Sequence, residues 1–409
     1  MSDWRSVLVH LVDNVESAMD RLKYKLAYAL GGPDPIKIVP YRGFGTARRM
    51  YVHGRVLEDQ GISPATESDT VWDNIVNMYK RIESDEVPFA RLLVRFQGAE
   101  QEVVADEEGM FSVWVEPTAP LSTASLWQHV ELELVEPQSP KQEGPVRATA
   151  DVLVPPEGAR LAVISDIDDT VLRSDAVNLL RMARNVLLGN ARTRLPFAGV
   201  AAFYRALFGG PDGASMNPLF YVSSSPWNLY DLLSQFFHLH HIPVGPVLLL
   251  RNWGISEEEL LPLHNRRYKL RTIESILDTY TDFPFVLIGD SGQEDPEIYA
   301  EIVHRYSGRI AAVYIRNVSR GSERSEAIGE LAHEVVEQGS TLILADDTLS
   351  MARHAVEQGW IRPEALEEIA EEKARDEGPP GLIERLVGEG EGAPTVTVEG
   401  REQSRAREE

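Results

Sequence analysis

Hydrophobic and polar positions along the chain fall into three successive rhythms. Between residues 2 and 30, Trp4, Leu8, Leu11, Val15, Met19, Leu22, Leu26 and Leu30 recur at steps of three or four, which predicts one amphipathic helix within an N-terminal segment 1–35. Ser2 or Asp3 can cap its start, and Gly31-Gly32-Pro33 stops it. Such a stripe suits packing on the next domain or on a second copy of the chain, giving an oligomer through this helix. A membrane surface is the other partner considered, but the polar face mixes Asp13, Glu16 and Asp20 with Arg21, Lys23 and Lys25, a weak pattern for lipid.

Residues 36–154 alternate instead. Leu92, Val94 and Phe96 are interleaved with polar residues, as are Phe111, Val113 and Val115, then Val130, Leu132 and Leu134, then Val146, Ala148, Ala150 and Val152. Asp106 to Gly109 supplies a turn, and Trp72, Ile75, Val76 and Tyr79 share one face of a helical insertion. Short strands with one inward face predict a β-sandwich-like module. No chemical constellation stands out in it, so a packing or partner-binding role is expected.

From Pro155-Pro156 the apolar positions become continuous runs separated by helical segments: 161–165, 219–223, 244–250, 283–289, 310–318 and 341–345. Continuous runs mean burial on both faces, and alternation with helices predicts a doubly wound parallel α/β domain over 155–362. In that architecture chemistry sits at the carboxyl ends of the strands. From Pro363 to residue 409 the chain is rich in Glu, Arg and Gly, predicting a solvated helix and then a flexible acidic tail.

Composition narrows the function classes. The 409 residues are 43% hydrophobic and 25% charged, ordinary for globular domains, but Lys+Arg is 40 against Asp+Glu 64, a formal charge of −24. So acidic a chain repels phosphate backbones at long range, and no nucleic-acid partner is expected. The absence of cysteine excludes disulfides, thiolate zinc sites and a cysteine nucleophile. Asp3, Arg5, His10 and Asp13 interrupt the first apolar run too early for an export signal, and no stretch reaches the roughly 18 apolar residues of a membrane span. A cytoplasmic protein is expected, peripheral at membranes if its substrate is a lipid.

Candidate chemistry appears where the third rhythm says to look. The first run leads into Asp166-Ile167-Asp168-Asp169-Thr170, three acids in four positions, costly unless a cation or proton offsets them. The second ends in Ser223-Ser224-Ser225-Pro226-Trp227-Asn228, where Ser225 can cap a helix with Pro226 in its first turn, leaving hydroxyls and N–H groups for an anion. Lys269 is the only lysine between Lys141 and Lys373 in a chain with seven lysines and 33 arginines. A compact ammonium there suits a phosphate oxygen. The fourth run ends in Gly289-Asp290-Ser291-Gly292, with Asp295-Pro296 just beyond, where Asp295 also reads as a plain N-cap. Hard carboxylate oxygens at two strand ends are what Mg2+ takes. Asp346-Asp347-Thr348 lacks this spacing and reads as a helix cap.

Together the D-x-D-x-T run, the strand-end serine, the later lysine and G-D-x-x-x-x-D resemble the haloacid dehalogenase superfamily of phosphotransferases. More narrowly, DIDDT, YVSSSPWN and GDSGQEDPEIY resemble the catalytic domain of the magnesium-dependent, actin-patch-associated phosphatidate phosphatases, over about residues 155–320. The resemblance implies Asp166 as nucleophile of an aspartyl-phosphate, Asp168 as acid then base, and Ser223 and Lys269 on the phosphoryl oxygens. It implies Mg2+ held by Asp166, the carbonyl of Asp168, and Asp290, with Asp295 in or near that shell. Thr170, Ser224 and Asn228 within the motifs are substrate-binding candidates. One departure from the pattern is Tyr268, where relatives often carry histidine before the lysine.

Only 57 positions separate Asp166 from Ser223 and 46 separate Ser223 from Lys269, which leaves little room for a large cap domain and predicts an open site for a bulky substrate. Between the first two motifs Leu179, Leu180, Met182, Val186, Leu187 and Leu188 lie among Arg181, Arg184, Arg192 and Arg194. That basic, apolar segment suits an anionic lipid surface or a flap packed on the sheet, with Arg181 and Arg184 as further substrate-binding candidates. The expected activity is hydrolysis of phosphatidate to diacylglycerol and phosphate. The alternatives are phosphatase action on a protein, a nucleic-acid end or a soluble metabolite, or a non-catalytic phosphate-binding scaffold.

Overall fold

The computed structural model describes residues 34–59, 86–121, 125–167, 197–250, 262–318 and 321–377. The helix expected over 2–30, the insertion around Trp72 and the tail beyond residue 377 lie outside the described residues.

The alternating part forms strands β1 (Ile36–Thr46), β2 (Arg49–Glu58), β3 (Arg91–Phe96), β4 (Ala99–Val104), β5 (Met110–Val115), β6 (Trp127–Glu136) and β7 (Arg147–Leu153). The turn before β5 is built as the sequence suggests: Asp106 Oδ1 accepts the N–H groups of Glu108 and Met110, and Gly109 takes the left-handed φ of 70°. The apolar face holds Val52, Val56, Leu92, Val94, Val130 and Leu132 at 1% exposure or less.

The second part forms β8 (Ala162–Asp166), β9 (Leu219–Pro226), β10 (Val247–Leu250), β11 (Phe285–Asp290), β12 (Ile310–Arg316) and β13 (Leu342–Ala345). Each of the six apolar runs overlaps one of these strands. They are joined by α1 (Val200–Gly209), α2 (Tyr230–Leu239), α3 (Pro262–Thr279), α4 (Asp295–Arg305) and α5 (Ser322–Glu337), followed by α6 (Thr348–Glu357) and α7 (Ala365–Glu377). The strands are all parallel, in the order β10-β9-β8-β11-β12-β13. One core packs α1, α2, α6 and α7 on Val163, Tyr221, Val286 and Tyr314; the other packs α3, α4 and α5 on Ile164, Phe220, Leu287 and Val313.

The fold class read from the sequence is corrected here. The alternating strands do not form the two facing sheets of a sandwich. They form one mixed seven-stranded sheet, order β4-β3-β6-β7-β1-β2-β5, whose edge strands β4 and β5 approach each other so that it nearly closes. Period-two alternation marks one buried face, but a facing sheet and the same sheet curled round bury that face equally well. The second part is an all-parallel sheet, but the described residues do not define the expected doubly wound, haloacid-dehalogenase-like domain. Apolar runs report burial on both faces and leave strand order and the full set of covering helices unspecified.

The segment read as a solvated helix is a helix that packs one side against α1. α7 buries Ala365 and Ile369 and supplies acids to the start of α1. Asp376 Oδ2 accepts Gly199 N–H at 2.8 Å, and Glu372 Oε1 accepts Ala202 N–H at 2.7 Å. These meet N–H groups that a helix cannot satisfy internally, and place negative charge at the positive end of its dipole. Asp347 caps α6 through Ser350 N–H, as its sequence position suggested.

The two sheets share an interface along β1. A register shift between Tyr41 and Phe44 turns these residues to different sides. Tyr41 joins the core over one face of the parallel sheet and Phe44 the core over the other. Tyr280, just after α3, accepts a hydrogen bond at this seam: Gly45 N–H donates to Tyr280 Oη at 3.0 Å, fully buried. Such a bond contributes about 1 kcal/mol net.

Candidate active site

Register brings the carboxyl ends of β8 and β11 together. β8 pairs with β11 as Ile288 with Ser165, and with β9 as Asp166 with Val222. Asp166, Asp290 and Ser223 therefore stand at neighbouring strand ends, and all three are fully buried. One carboxylate oxygen of each of Asp166, Asp290 and Asp295 lies within 4.8 Å of the others.

Asp295 reaches this cluster because β11 carries no side chain beside it. An added Cβ on Gly289 would stand 2.8 Å from Asp295 Cβ and Cγ. Asp295 Oδ2 accepts the backbone N–H of Asp290 at 3.1 Å. It is not the N-cap of α4: Glu294 occupies that position, without a side-chain capping bond. The plain capping reading of Asp295 is thus replaced by a place in the site. Asp290 Oδ1 accepts Gly292 N–H at 2.6 Å and Gln293 N–H at 3.1 Å, which turns the chain sharply after β11. Tyr299 on α4 donates to Ile288 O at 3.0 Å and fixes that helix to the strand just before the cluster.

Lys269, projecting from α3, is 3% exposed and lies between two of the acids. Its ammonium is 2.6 Å from Asp166 Oδ1 and also bonds Asp295 Oδ1. Burial alone would lower its pKa, but Asp166 first and Asp295 next more than reverse this, holding it above the ordinary lysine range. Lys269 is therefore charged, and it neutralises part of the acidic cluster. Tyr268, the departure from the motif, donates its hydroxyl to Leu249 O at the end of β10 and anchors α3 beside the site. Behind Asp166, Ser165 Oγ bonds the Asp166 carbonyl and the Tyr204 hydroxyl, each at 2.7 Å.

Ser223 Oγ accepts Ser225 N–H at 2.9 Å, a turn within the serine run. The expected helix start at Ser225-Pro226 is corrected: β9 runs to Pro226, a 3-10 turn covers Trp227–Leu229, and α2 begins at Tyr230. A strand that continues through the serines leaves Ser225 no helix to cap. Ser224 is half-buried, and Asn228 lies in the 3-10 turn. Asp168, Thr170, Arg181 and Arg184 lie outside the described residues. Sequence reasoning missed Gly289 as a packing requirement and Arg324 altogether. Arg324 on α5 donates to Ser291 O at 2.9 Å and Gln293 O at 2.6 Å, and pairs with Glu297, so it clasps the turn that follows Asp290. It stands in a run of charged helix residues, with no sequence signal to single it out.

Three hard carboxylates gathered at one point, partly offset by one ammonium, fit a divalent cation such as Mg2+ in donor chemistry. A cluster of this kind at parallel strand ends can hold a phosphoryl group beside a carboxylate nucleophile. Among the described residues, no helix is long and apolar enough to cross a membrane.

Residues 161–317 match the family described as phosphatidate phosphatase APP1, catalytic domain. The chain is similar to the phosphatidate phosphatase APP1 of Saccharomyces cerevisiae, 32% identical over 157 residues, 38% of this chain and 26% of that protein. It is also similar to an uncharacterised protein of Schizosaccharomyces pombe, 28% identical over 243 residues, 57% of this chain and 38% of that protein. The chain thus spans well under half the length of these curated relatives. Among solved structures, a minor pilin from Streptococcus sanguinis aligns over 75% of this chain and 90% of its own at 8% identity, with a TM-score of only 0.24.

Proposed function

We propose that this chain is a phosphatidate phosphatase, a phosphoric monoester hydrolase that depends on Mg2+ and works through an aspartyl-phosphate. The observation that carries this is the buried group of Asp166, Asp290, Asp295 and Lys269 at adjacent strand ends, inside the stretch that matches the phosphatidate phosphatase catalytic domain.

Asp166 attacks phosphorus through a carboxylate oxygen, and the bond from phosphorus to the glycerol oxygen breaks. The departing alkoxide takes a proton from Asp168 and leaves as diacylglycerol. Asp168, now a carboxylate, takes a proton from water as that water attacks phosphorus. Phosphate departs and the Asp166 carboxylate is restored. Lys269 and Ser223 hold the phosphoryl oxygens in place through both steps. Asp166, Asp290 and the Asp168 carbonyl would hold Mg2+, with Asp295 beside them. When bound, Mg2+ supplies positive charge that offsets the negative charge of the phosphoryl group among three acids.

A substrate whose acyl chains stay in a lipid surface requires an enzyme that works at that surface. The basic, apolar stretch containing Arg181 and Arg184 is the part of the sequence suited to it, and the enzyme would act from the cytoplasm as a peripheral protein. The test is phosphate release from phosphatidate in mixed micelles and from a soluble phosphomonoester, with and without Mg2+, using Asp166→Asn as control. Mg2+-dependent release from the lipid, lost in the variant, is expected. Release from the soluble ester alone would remove the lipid assignment and keep the catalytic one.

A further inference from the structure

Among the described residues, the nearly closed β-sheet module carries no acid cluster of its own, yet it touches the catalytic half where the serine run ends. Trp227 follows Ser223-Ser224-Ser225-Pro226 directly and is 7% exposed. Its ring stacks on Tyr41 of β1, with centroids 4.5 Å apart and planes within 16°. His53 of β2 meets the Trp227 ring edge-on at 5.2 Å. The backbone joins in: Arg42 N–H donates to Tyr230 Oη at 2.9 Å, and Arg42 O lies 3.2 Å from His53 Nε2. Tyr41 in turn packs on Tyr230 at 4.4 Å. The 3-10 turn that closes the serine run is therefore seated in part on aromatic side chains of another module.

That seat joins the turn where the elements on either side of it are irregular. β9 shifts register against β10 between Leu249 and Leu250, where Leu250 pairs with Pro226. α2 begins without a side-chain cap. A short turn between an irregular strand end and an uncapped helix takes its position from what it packs against. Ser223 lies four residues before Trp227, and a phosphoryl-binding hydroxyl displaced by an ångström loses much of its effect.

We propose that Tyr41, through its stack on Trp227, is a positioning residue for the serine run, so that the β-sheet module is a working part of the active site. The inference rests on the phosphatase reading above. Its consequence is that loss of the stack lowers kcat while leaving the fold and the Asp166 cluster in place.

The experiment compares full-length wild type, Tyr41→Ala, Tyr41→Leu, Tyr41→Phe and Tyr280→Phe in Mg2+-dependent phosphate release, with melting temperature and far-UV circular dichroism measured on each. Tyr41→Leu keeps apolar volume in case the alanine variant does not fold. Tyr280→Phe removes the Gly45 hydrogen bond on the opposite side of the same interface and controls for loosened docking. Expected are a fall in kcat of at least about ten-fold with little change in KM for the alanine or leucine variant, and near-wild-type kcat for Tyr41→Phe and Tyr280→Phe. Wild-type kcat in a folded Tyr41→Leu, or an equal loss in Tyr280→Phe, would overturn the inference. An inactive wild type would instead remove the phosphatase reading, and the positioning role with it.

Discussion

Gly289 and Asp295 are in mutual contact in a way that only glycine permits. The Asp295 carboxylate lies in the space that a side chain on Gly289 would fill, with an added Cβ 2.8 Å from Asp295 Cβ and Cγ. Both partners are constrained: β11 continues into Asp290, and Asp295 opens α4, whose Tyr299 bonds Ile288 O. Gly289→Ala therefore displaces the carboxylate from Lys269 and Asp290. The expected cost is about 1–3 kcal/mol of stability, as for overpacking in a tight core, together with most of the phosphatase activity. Urea unfolding and phosphate release check both, and an alanine variant of full activity would show that Asp295 has no part in the site.

Lys269 places a buried positive charge between Asp166 and Asp295, two of the three clustered acids. Lys269→Met keeps length and apolar bulk but removes the ammonium. Breaking a buried ion pair on one side costs roughly 3–5 kcal/mol, so the variant should melt well below wild type in chelator. Added Mg2+ should raise its melting temperature more than that of wild type, because the cation then meets acids with no competing ammonium. Equal Mg2+ shifts in the two proteins would argue against a cation at these carboxylates. The readout is thermal, so it does not depend on turnover.

The parts of the site visible in the sequence are those whose chemistry conflicts with their surroundings. Asp166 and Asp290 end apolar runs, and Lys269 is a lone lysine among arginines, so each stands out without a structure. The residues that escaped are ordinary by themselves. Gly289 gains meaning only from Asp295 folding back over it, and Arg324 only from the turn it clasps. The Tyr41–Trp227 stack joins positions 186 residues apart, beyond the reach of any local pattern. Likewise, alternation located β3, β5, β6 and β7 but said nothing of closure, so one curled sheet was read as a sandwich. The polar β4, Ala99–Val104, gave no apolar face to read. Pro226 marked a helix start by rule, whereas β9 runs through it and the helix waits until Tyr230.

His53 gives the interface a pH dependence. It is 3% exposed, and burial holds its pKa down at about 4, only partly countered by the Arg42 carbonyl. The imidazole is therefore neutral in the folded protein and protonates more readily when unfolded, at about 6.5. Its contribution is intact above pH 6.5 and is lost as pH falls from there toward 4. For a shift from 6.5 to about 4 the loss amounts to about 3 kcal/mol. Urea unfolding of wild type and His53→Gln between pH 4 and 8 should show a smaller acid loss in the variant. Parallel curves would mean that His53 is not the group responsible.

Arg324 supplies the last prediction, because it acts on Asp290 without touching it. Its guanidinium reaches Ser291 O and Gln293 O, and these flank Gly292, whose N–H donates to Asp290 Oδ1. The pair with Glu297 on α4 orients the fork; burial would raise the Glu297 pKa, but Arg324 brings it below its usual range. A lysine has one ammonium and cannot bond both carbonyls and the carboxylate in the same plane. Arg324→Lys should therefore keep the charge but lose the clasp, lowering kcat several-fold and raising the Mg2+ concentration needed for half-maximal activity. Glu297→Gln, which removes the ion pair and leaves both carbonyl bonds, should do neither to the same extent. If the two variants lose activity equally, the ion pair between α4 and α5 matters and the turn does not.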